Sequence, residues 1–292
     1  MRRSVNFNWL LVLLASWAIP VYWPLSYLFS LLFWLLPIVV LLPDFLAATD
    51  TPTRRRRRAL WYTAGWIVVL GIALDFGLGN RVLTFTADWY LFSVRGIPIE
   101  EVLFYALAPL AILLVYAWCD EHWLSAYNRS TVRERVLARE PPLLKLSPRI
   151  VVTALALLGL AVTTKWFAHG HAAIPTYATF LIVAAFVPAA ATYRVVHSFV
   201  NWRAFGATTI YVIGTSLAYE VTLAIPLGWW GYREEATVGI TISRWGTAVH
   251  PFPLEAAVVW VAAPFSCVLT YELVKAYLHH PAPAPRARLV GP

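Results

Sequence analysis

The sequence predicts an all-α polytopic membrane protein: a helical bundle of about eight (seven to eight) transmembrane helices in two parallel-repeat halves. Three observations predict it. Of 292 residues, 60% are hydrophobic and only 13% charged, where a soluble domain carries about a quarter charged residues. Long apolar stretches recur along the chain, most reaching the roughly 17–25 residues that a spanning helix needs. Basic residues gather between pairs of those stretches, as topogenic charges do.

The first stretch, 5–20, is short and runs into "PVYWP" (Pro20, Pro24). It is expected either to span or to lie in the interface. Its basic start and apolar run look like a signal peptide, but a second apolar stretch follows without a clear small-residue cleavage site, so it is read as retained. The remaining stretches are 24–42, 60–78, 98–119, 150–168, 174–193, 206–227 and 253–277. Basic residues cluster at Arg2–Arg3, Arg54–Arg58, Arg129–Arg149, Arg194 with Arg203, and in the tail from Lys275 to Arg288. If all of these lie on the cytoplasmic side, two stretches separate each neighbouring pair, so eight spans with both termini cytoplasmic are self-consistent. The expected location is a cell inner membrane. The basic clusters between spans are topogenic, which sets aside nucleic acid as a partner.

The organisation follows. Residues 1–119 form a first membrane unit, 120–149 a polar cytoplasmic linker, 150–280 a second membrane unit and 281–292 a disordered tail. Loops 79–97, 169–173 and 228–252 fall on the other side. Cys119 and Cys267 both sit in apolar runs and give neither a disulfide framework nor a metal pattern.

The two halves repeat. "PIEEVLFYALAPL" runs from Pro98 to Leu110 and "PLEAAVVWVAAPF" from Pro253 to Phe265. Pro98 and Pro109 match Pro253 and Pro264, Glu100 matches Glu255, Tyr105 matches Trp260, and Tyr116 matches Tyr271. One span upstream, Asp75 and Glu220 correspond, with the intervening loop ten residues longer in the second half (33 positions against 23). Equivalent stretches run in the same direction, which is a parallel duplication.

"P-x-E" has a sufficient explanation as a helix start. Proline lacks the N–H that would be orphaned in a first turn, and a carboxylate there meets the positive end of the helix dipole. The surrounding solvent makes that explanation incomplete. Glu100, Glu101 and Glu255, with Asp75 and Glu220, bring acids from both halves to one depth at a membrane boundary, with few basic residues in the spans. Ionisable groups there are costly and are functional candidates by default. A carboxyl that stays protonated is a proton donor, and aromatic faces stabilise a cation. Tyr105, Trp260, Trp229, Trp230 and Tyr232 lie near the level of the acids, as do Trp89, Tyr90 and Trp245. Taken singly, each aromatic is also a reasonable belt anchor. Together, acids and aromatic walls suit protonation of an alkene and guidance of the carbocation. His169 and His171 in a short loop lack further ligands, so no metal is expected. His250 and Arg95, each three residues before a motif proline, either pair with the acids or flank a span.

At these residues the chain resembles the lycopene cyclase domain family, integral-membrane carotenoid cyclases built of two small related units, separate or fused. "RGIPIEEVLFYALAPL" is similar to the first-unit motif. "YEVTLAIPLGWWGY", then "PFPLEAAVVWVAAPF" and "YELVKAY", look like the second unit of a fused form. The resemblance covers most of residues 30–278. It departs at Ala256, where a second acid would complete the motif, so Glu100 and Glu101 become the expected proton-donating pair, with Glu255 as partner or stabiliser. The resemblance implies proton-initiated cyclisation of lycopene, or a related acyclic carotene end group, to an ionone ring. No redox change and no cofactor are involved. The substrate would be an apolar carotene taken from the bilayer, and association with other carotenoid enzymes is a further expectation. Three alternatives stay open from the residues alone: hydration of the same cation, a non-catalytic parallel-repeat transporter, and an assembly partner with no chemistry.

Overall fold

The computed structural model describes residues 27–47, 51–85, 90–137, 146–170 and 173–279, with Ala15, Ala18 and Leu144 besides. In chain order the elements begin with α1 (Tyr27–Ala47) and α2 (Arg54–Val82). Three short strands follow: β1 (Leu83–Phe85), β2 (Ser93–Val94) and β3 (Ile97–Pro98). Then come α3 (Ile99–Trp123), the short α4 (Ser130–Leu137), α5 (Pro148–His169) and α6 (Thr176–Val196). Helix α7 (202–224) joins Trp202–Ser216 to a π-helical Leu217–Ala224. Strand β4 (Trp230–Tyr232) and α8 (Leu254–Leu278) complete the fold.

Among the described residues six helices are long and apolar enough to cross a membrane: α1, α2, α3, α5, α6 and α8. The chain is thus an all-α polytopic membrane protein. Two of the eight expected spans are not among the six. Stretch 5–20 lies outside the described residues except for Ala15 and Ala18. Stretch 206–227 is helical, as α7, but Thr208, Thr215, Ser216 and Glu220 dilute its apolar character. All four are buried, so this helix turns its polar side chains towards protein rather than lipid.

Helix α3 is the centre of the bundle. Its 25 residues span about 37 Å at 1.5 Å per residue, enough for a hydrocarbon core of about 30 Å. From Ala111 to Ala117 every side chain is buried, as expected of a helix that is apolar all round. It packs against α1, α2, α7 and α8, and α8 in turn packs against α2, α6 and α7. The helices of the two halves therefore interleave. By contrast, α5 buries only Ile150, Ala161 and Lys165 and exposes Val152, Leu155, Leu160 and Phe167. In water that surface would be an aggregation hazard; in a bilayer it meets lipid.

Pro109 in α3 and Pro264 in α8 each deny a backbone hydrogen bond to the carbonyl four residues earlier. Those carbonyls belong to Tyr105 and Trp260, so each proline lies one turn after an aromatic residue.

Short strands tie down the segments before α3 and α8. Strands β2 and β3 pair antiparallel through the two-residue turn Arg95–Gly96, where φ is 53° and 81°. Positive φ at both positions is the type I′ geometry that suits hairpin twist. The Asn80 side chain fastens this turn by donating to the Arg95 carbonyl at 2.6 Å. Strand β1 pairs antiparallel with β4, joining a segment of each half. The β1–β4 junction also explains Gly231, where a Cβ would collide with the ring of His250.

Candidate functional site

The acids converge at the end of the bundle where α3 and α8 begin. Asp75 opens a π-helical turn, Asp75–Gly79, near the end of α2. Glu220 lies in the π-helical Leu217–Ala224 of α7. A π turn inserts one extra residue into the helix, and such turns recur at functional sites. Here each turn carries the acid. Glu100 and Glu101 sit in the first turn of α3, and Glu255 in that of α8. All five are buried.

Glu101 accepts a hydrogen bond from the Tyr27 hydroxyl of α1. Asp75 and Glu220 both lie within electrostatic reach of its carboxyl. Tyr27 stacks on Trp229 with ring centres 5.9 Å apart and meets Trp230 at 5.2 Å. Trp230 meets Tyr219 at 5.3 Å, and Tyr219 stacks on Phe104 at 5.9 Å. Tyr105 stands within reach of the charges of Glu101 and Asp75. It packs against Gly71 of α2 so closely that a Cβ there would enter the ring.

Glu220 is held from both sides. The Tyr232 hydroxyl donates to Oε1, and the Trp260 indole N–H donates to Oε2 at 2.8 Å. An indole nitrogen can only donate, so that oxygen acts as acceptor. Around this carboxyl Trp260 meets Phe252 at 5.4 Å and Trp245 at 5.2 Å. Tyr177 stacks on Tyr232 at 5.8 Å. Tyr177 is also within electrostatic reach of Glu220, Glu255 and Glu101, which places it between the two acid environments.

The first glutamate of each motif is engaged differently. Glu100 Oε1 accepts the backbone N–H of Leu91 at 2.7 Å. Glu255 Oε1 accepts the backbone N–H of Val238 at 2.6 Å. In both residues the other oxygen is buried without a protein hydrogen bond. Glu100 and Glu101 therefore engage separate partners, as the 100° per residue of an α-helix requires.

The structure thus brings together Asp75, Glu101 and Glu220 with Tyr105, Trp229, Trp230, Tyr232 and Trp260. It sets Glu100 and Glu255 against backbone amides. Trp89 lies outside the described residues. Neither Arg95 nor His250 forms an ion pair with these acids: Arg95 makes the hairpin turn, and the ring of His250 packs beside Gly228 and Gly231. His169 pairs with Glu234 at 3.3 Å, and His171 lies outside the described residues. Among the described residues no three His, Cys, Asp or Glu side chains are grouped to hold a metal.

Sequence reasoning missed Tyr27, Tyr219, Tyr177 and Lys165. The nearest signal was Tyr219 beside Glu220. Tyr27 is 74 positions from the acid it meets, beyond any local pattern. Lys165 is buried in α5, donates to the Glu235 carbonyl and is within electrostatic reach of Glu255. It is a cation inside a span that charge counting had treated as apolar.

A second buried polar cluster, also unforeseen, lies where α3 and α8 end. Glu272 Oε2 accepts from Arg133 at 2.9 Å, and its Oε1 accepts from Tyr116 at 3.0 Å and from Lys275 at 2.7 Å. Lys275 lies 3.7 Å from Asp120, and Asn201 donates to Asp120 at 3.0 Å. Asp120 stands on another π-helical turn, Cys119–Trp123.

Fold and site together define a polytopic all-α membrane protein with a buried carboxyl cluster walled by aromatic rings. The chain matches no protein-family model, no curated protein and no solved structure.

Proposed function

We propose that this protein is a carotene cyclase that closes an acyclic end group, such as that of lycopene, into an ionone ring. The observation that carries this reading is that Glu101 and Glu220 share one aromatic wall: Tyr27 donates to Glu101 and meets Trp230 at 5.2 Å, and Tyr232 of the same strand donates to Glu220. The two carboxyls come from opposite halves of the chain and lie within electrostatic reach of each other. Aromatic rings wall both, and among the described residues no ion pair reaches either one or Asp75. Uncompensated acids in an apolar interior cost several kcal/mol each as charges, and chemistry is what repays that cost.

Glu101 is the proton donor in this reading, since two other carboxyls stand near it. Glu220 is the base, since two donors hold its oxygens as acceptors. The Glu101 carboxyl proton adds to the terminal carbon–carbon double bond and leaves a tertiary cation. The π electrons of the neighbouring double bond close a six-membered ring and move the positive charge onto it. Glu220 removes a ring proton, and its electrons form the ring double bond. One proton is added and one removed, so substrate and product are isomers. The rings of Tyr27, Tyr219, Trp230 and Trp260 offer quadrupole stabilisation to the cation.

We read the two halves as a parallel duplication. Three pairings support it beyond the motifs. Tyr116 and Tyr271, matched by the repeat, meet edge to face at 6.1 Å, as matched residues do at a two-fold axis. Phe85 pairs with Trp230 across β1–β4, the same 145-position relation as Asp75 and Glu220. Both motif prolines take an antiparallel partner, Pro98 with Ser93 of a strand and Pro253 with Thr241 in an isolated bridge.

The test is expression in lycopene-accumulating cells with pigment analysis. Cyclic carotene is expected from the wild type. Folded, membrane-inserted protein that leaves lycopene unchanged would overturn the reading, and a product heavier by one water molecule would make the protein a hydratase.

A further inference from the structure

The geometry points to a division of labour within the acidic motifs: Glu100 and Glu255 are positioning residues that anchor the segments covering the site, and neither carries the reacting proton. That they serve this reaction rests on the cyclase reading; the anchoring itself does not. Each accepts one backbone N–H from the segment just before its own helix, Leu91 for Glu100 and Val238 for Glu255. The two contacts are equivalent although the intervening chain differs, nine positions in one half and seventeen in the other. What they share is the acceptor and not the loop, which is the pattern expected of a device retained through loop change.

The second anchored segment helps build the site, and the first leads directly into the helix turn that carries Glu101. The second carries Trp229, Trp230 and Tyr232 before the anchor point and Trp245 and Phe252 after it. Lys165 strengthens this anchor, donating to the Glu235 carbonyl three residues before Val238 and facing Glu255 electrostatically. In the first segment Ile99 N donates to Phe92 O at 3.0 Å, so Leu91 and Phe92 are both bound back to the start of α3. The second motif position follows a different rule. Glu101 meets a hydroxyl and two carboxyls, whereas Ala256 fills its place in the other half. An anchor is needed in both halves, and the proton donor is needed only once.

An acceptor and an acid are separated by glutamine, which keeps the carbonyl oxygen and loses the ionisable proton. Hydrogen exchange of the full-length protein in detergent, read over residues 90–98 and 237–252, would be compared among Glu100→Gln, Glu100→Ala, Glu255→Gln, Glu255→Ala and Glu101→Gln, with pigment analysis in parallel. The alanine variants are expected to speed exchange at Leu91 or Val238 by about tenfold or more, the cost of leaving a buried N–H without its acceptor. The glutamine variants at 100 and 255 are expected to keep most of that protection and most of the product. Glu101→Gln is expected to keep the protection and lose the product. Exchange as fast in Glu100→Gln as in Glu100→Ala would overturn the anchor. So would intact protection with product lost in Glu100→Gln, which would make Glu100 an acid. A wild type that makes no cyclic product would remove the cyclase reading and leave the exchange result to decide the anchors.

Discussion

Helices α3 and α8 each carry a buried polar cluster at both ends, and the two clusters are opposites. Where the helices begin, Asp75, Glu101 and Glu220 stand among tyrosines and tryptophans, and none of the three forms an ion pair among the described residues. Where they end, Asp120 and Glu272 face Arg133 and Lys275, two acids against two bases. Both clusters are buried. The balanced one sets two acids against two bases, and its contacts hold α4, α3, α8 and the start of α7 together. The unbalanced one has no cation in ion-pair contact, and its carboxyls are held by tyrosine hydroxyls and an indole N–H. Composition alone does not separate the two clusters; the local charge balance does, and on the cyclase reading it marks the unbalanced one as the reactive one.

Substitution can sharpen that contrast. The largest effect on chemistry is expected from Glu101→Gln. Cyclic product in lycopene-making cells should fall by about 100-fold or more, in the range of a lost general acid, while the melting temperature in detergent stays near that of the wild type. Arg133→Met should do the reverse. It leaves Glu272 with less compensation and should cost about 3–5 kcal/mol of stability, read by thermal unfolding, with product per folded molecule nearly unchanged. Replacing Glu272 by Leu in the same chain should recover part of the loss. Gly71→Ala should cost about 1–3 kcal/mol, as overpacking does. The new methyl must displace Tyr105, so product yield should fall with stability, a coupling the Arg133 variant lacks. The smallest effect is expected at the Arg56–Glu121 pair, 3.0 Å apart but partly exposed. Arg56→Ala should shift stability by about 1 kcal/mol or less.

The spans were legible because burial in lipid imposes long apolar runs, and α1, α2, α3, α5, α6 and α8 follow them closely. The helix starts at Pro98 and Pro253 were legible because proline and acid both suit a first turn. Glu272 was not. In "YELVKAY" an acid and a lysine three apart look like an exposed helix end, and the arginine that buries them lies 139 positions earlier, in the polar linker. Glu100 and Glu101 looked alike in sequence because adjacency says nothing of direction. One residue of helix turns the second carboxyl from a loop amide to a tyrosine on α1. The aromatics were individually ambiguous, and only their convergence on Glu101 and Glu220 separates them from belt anchors such as the exposed Trp61 and Trp66.

Three of the four π-helical turns among the described residues hold a buried acid, and this bears on how the fold can vary. Asp75, Asp120 and Glu220 each owe their bearing to one surplus residue in a helix. Remove a residue from Leu217–Ala224 and the composition hardly changes, yet everything after the deletion rotates by about 100° relative to everything before it. The reach of these acids is therefore written in the spacing of the chain. A shift in phase at these turns would relocate an acid as surely as replacing it.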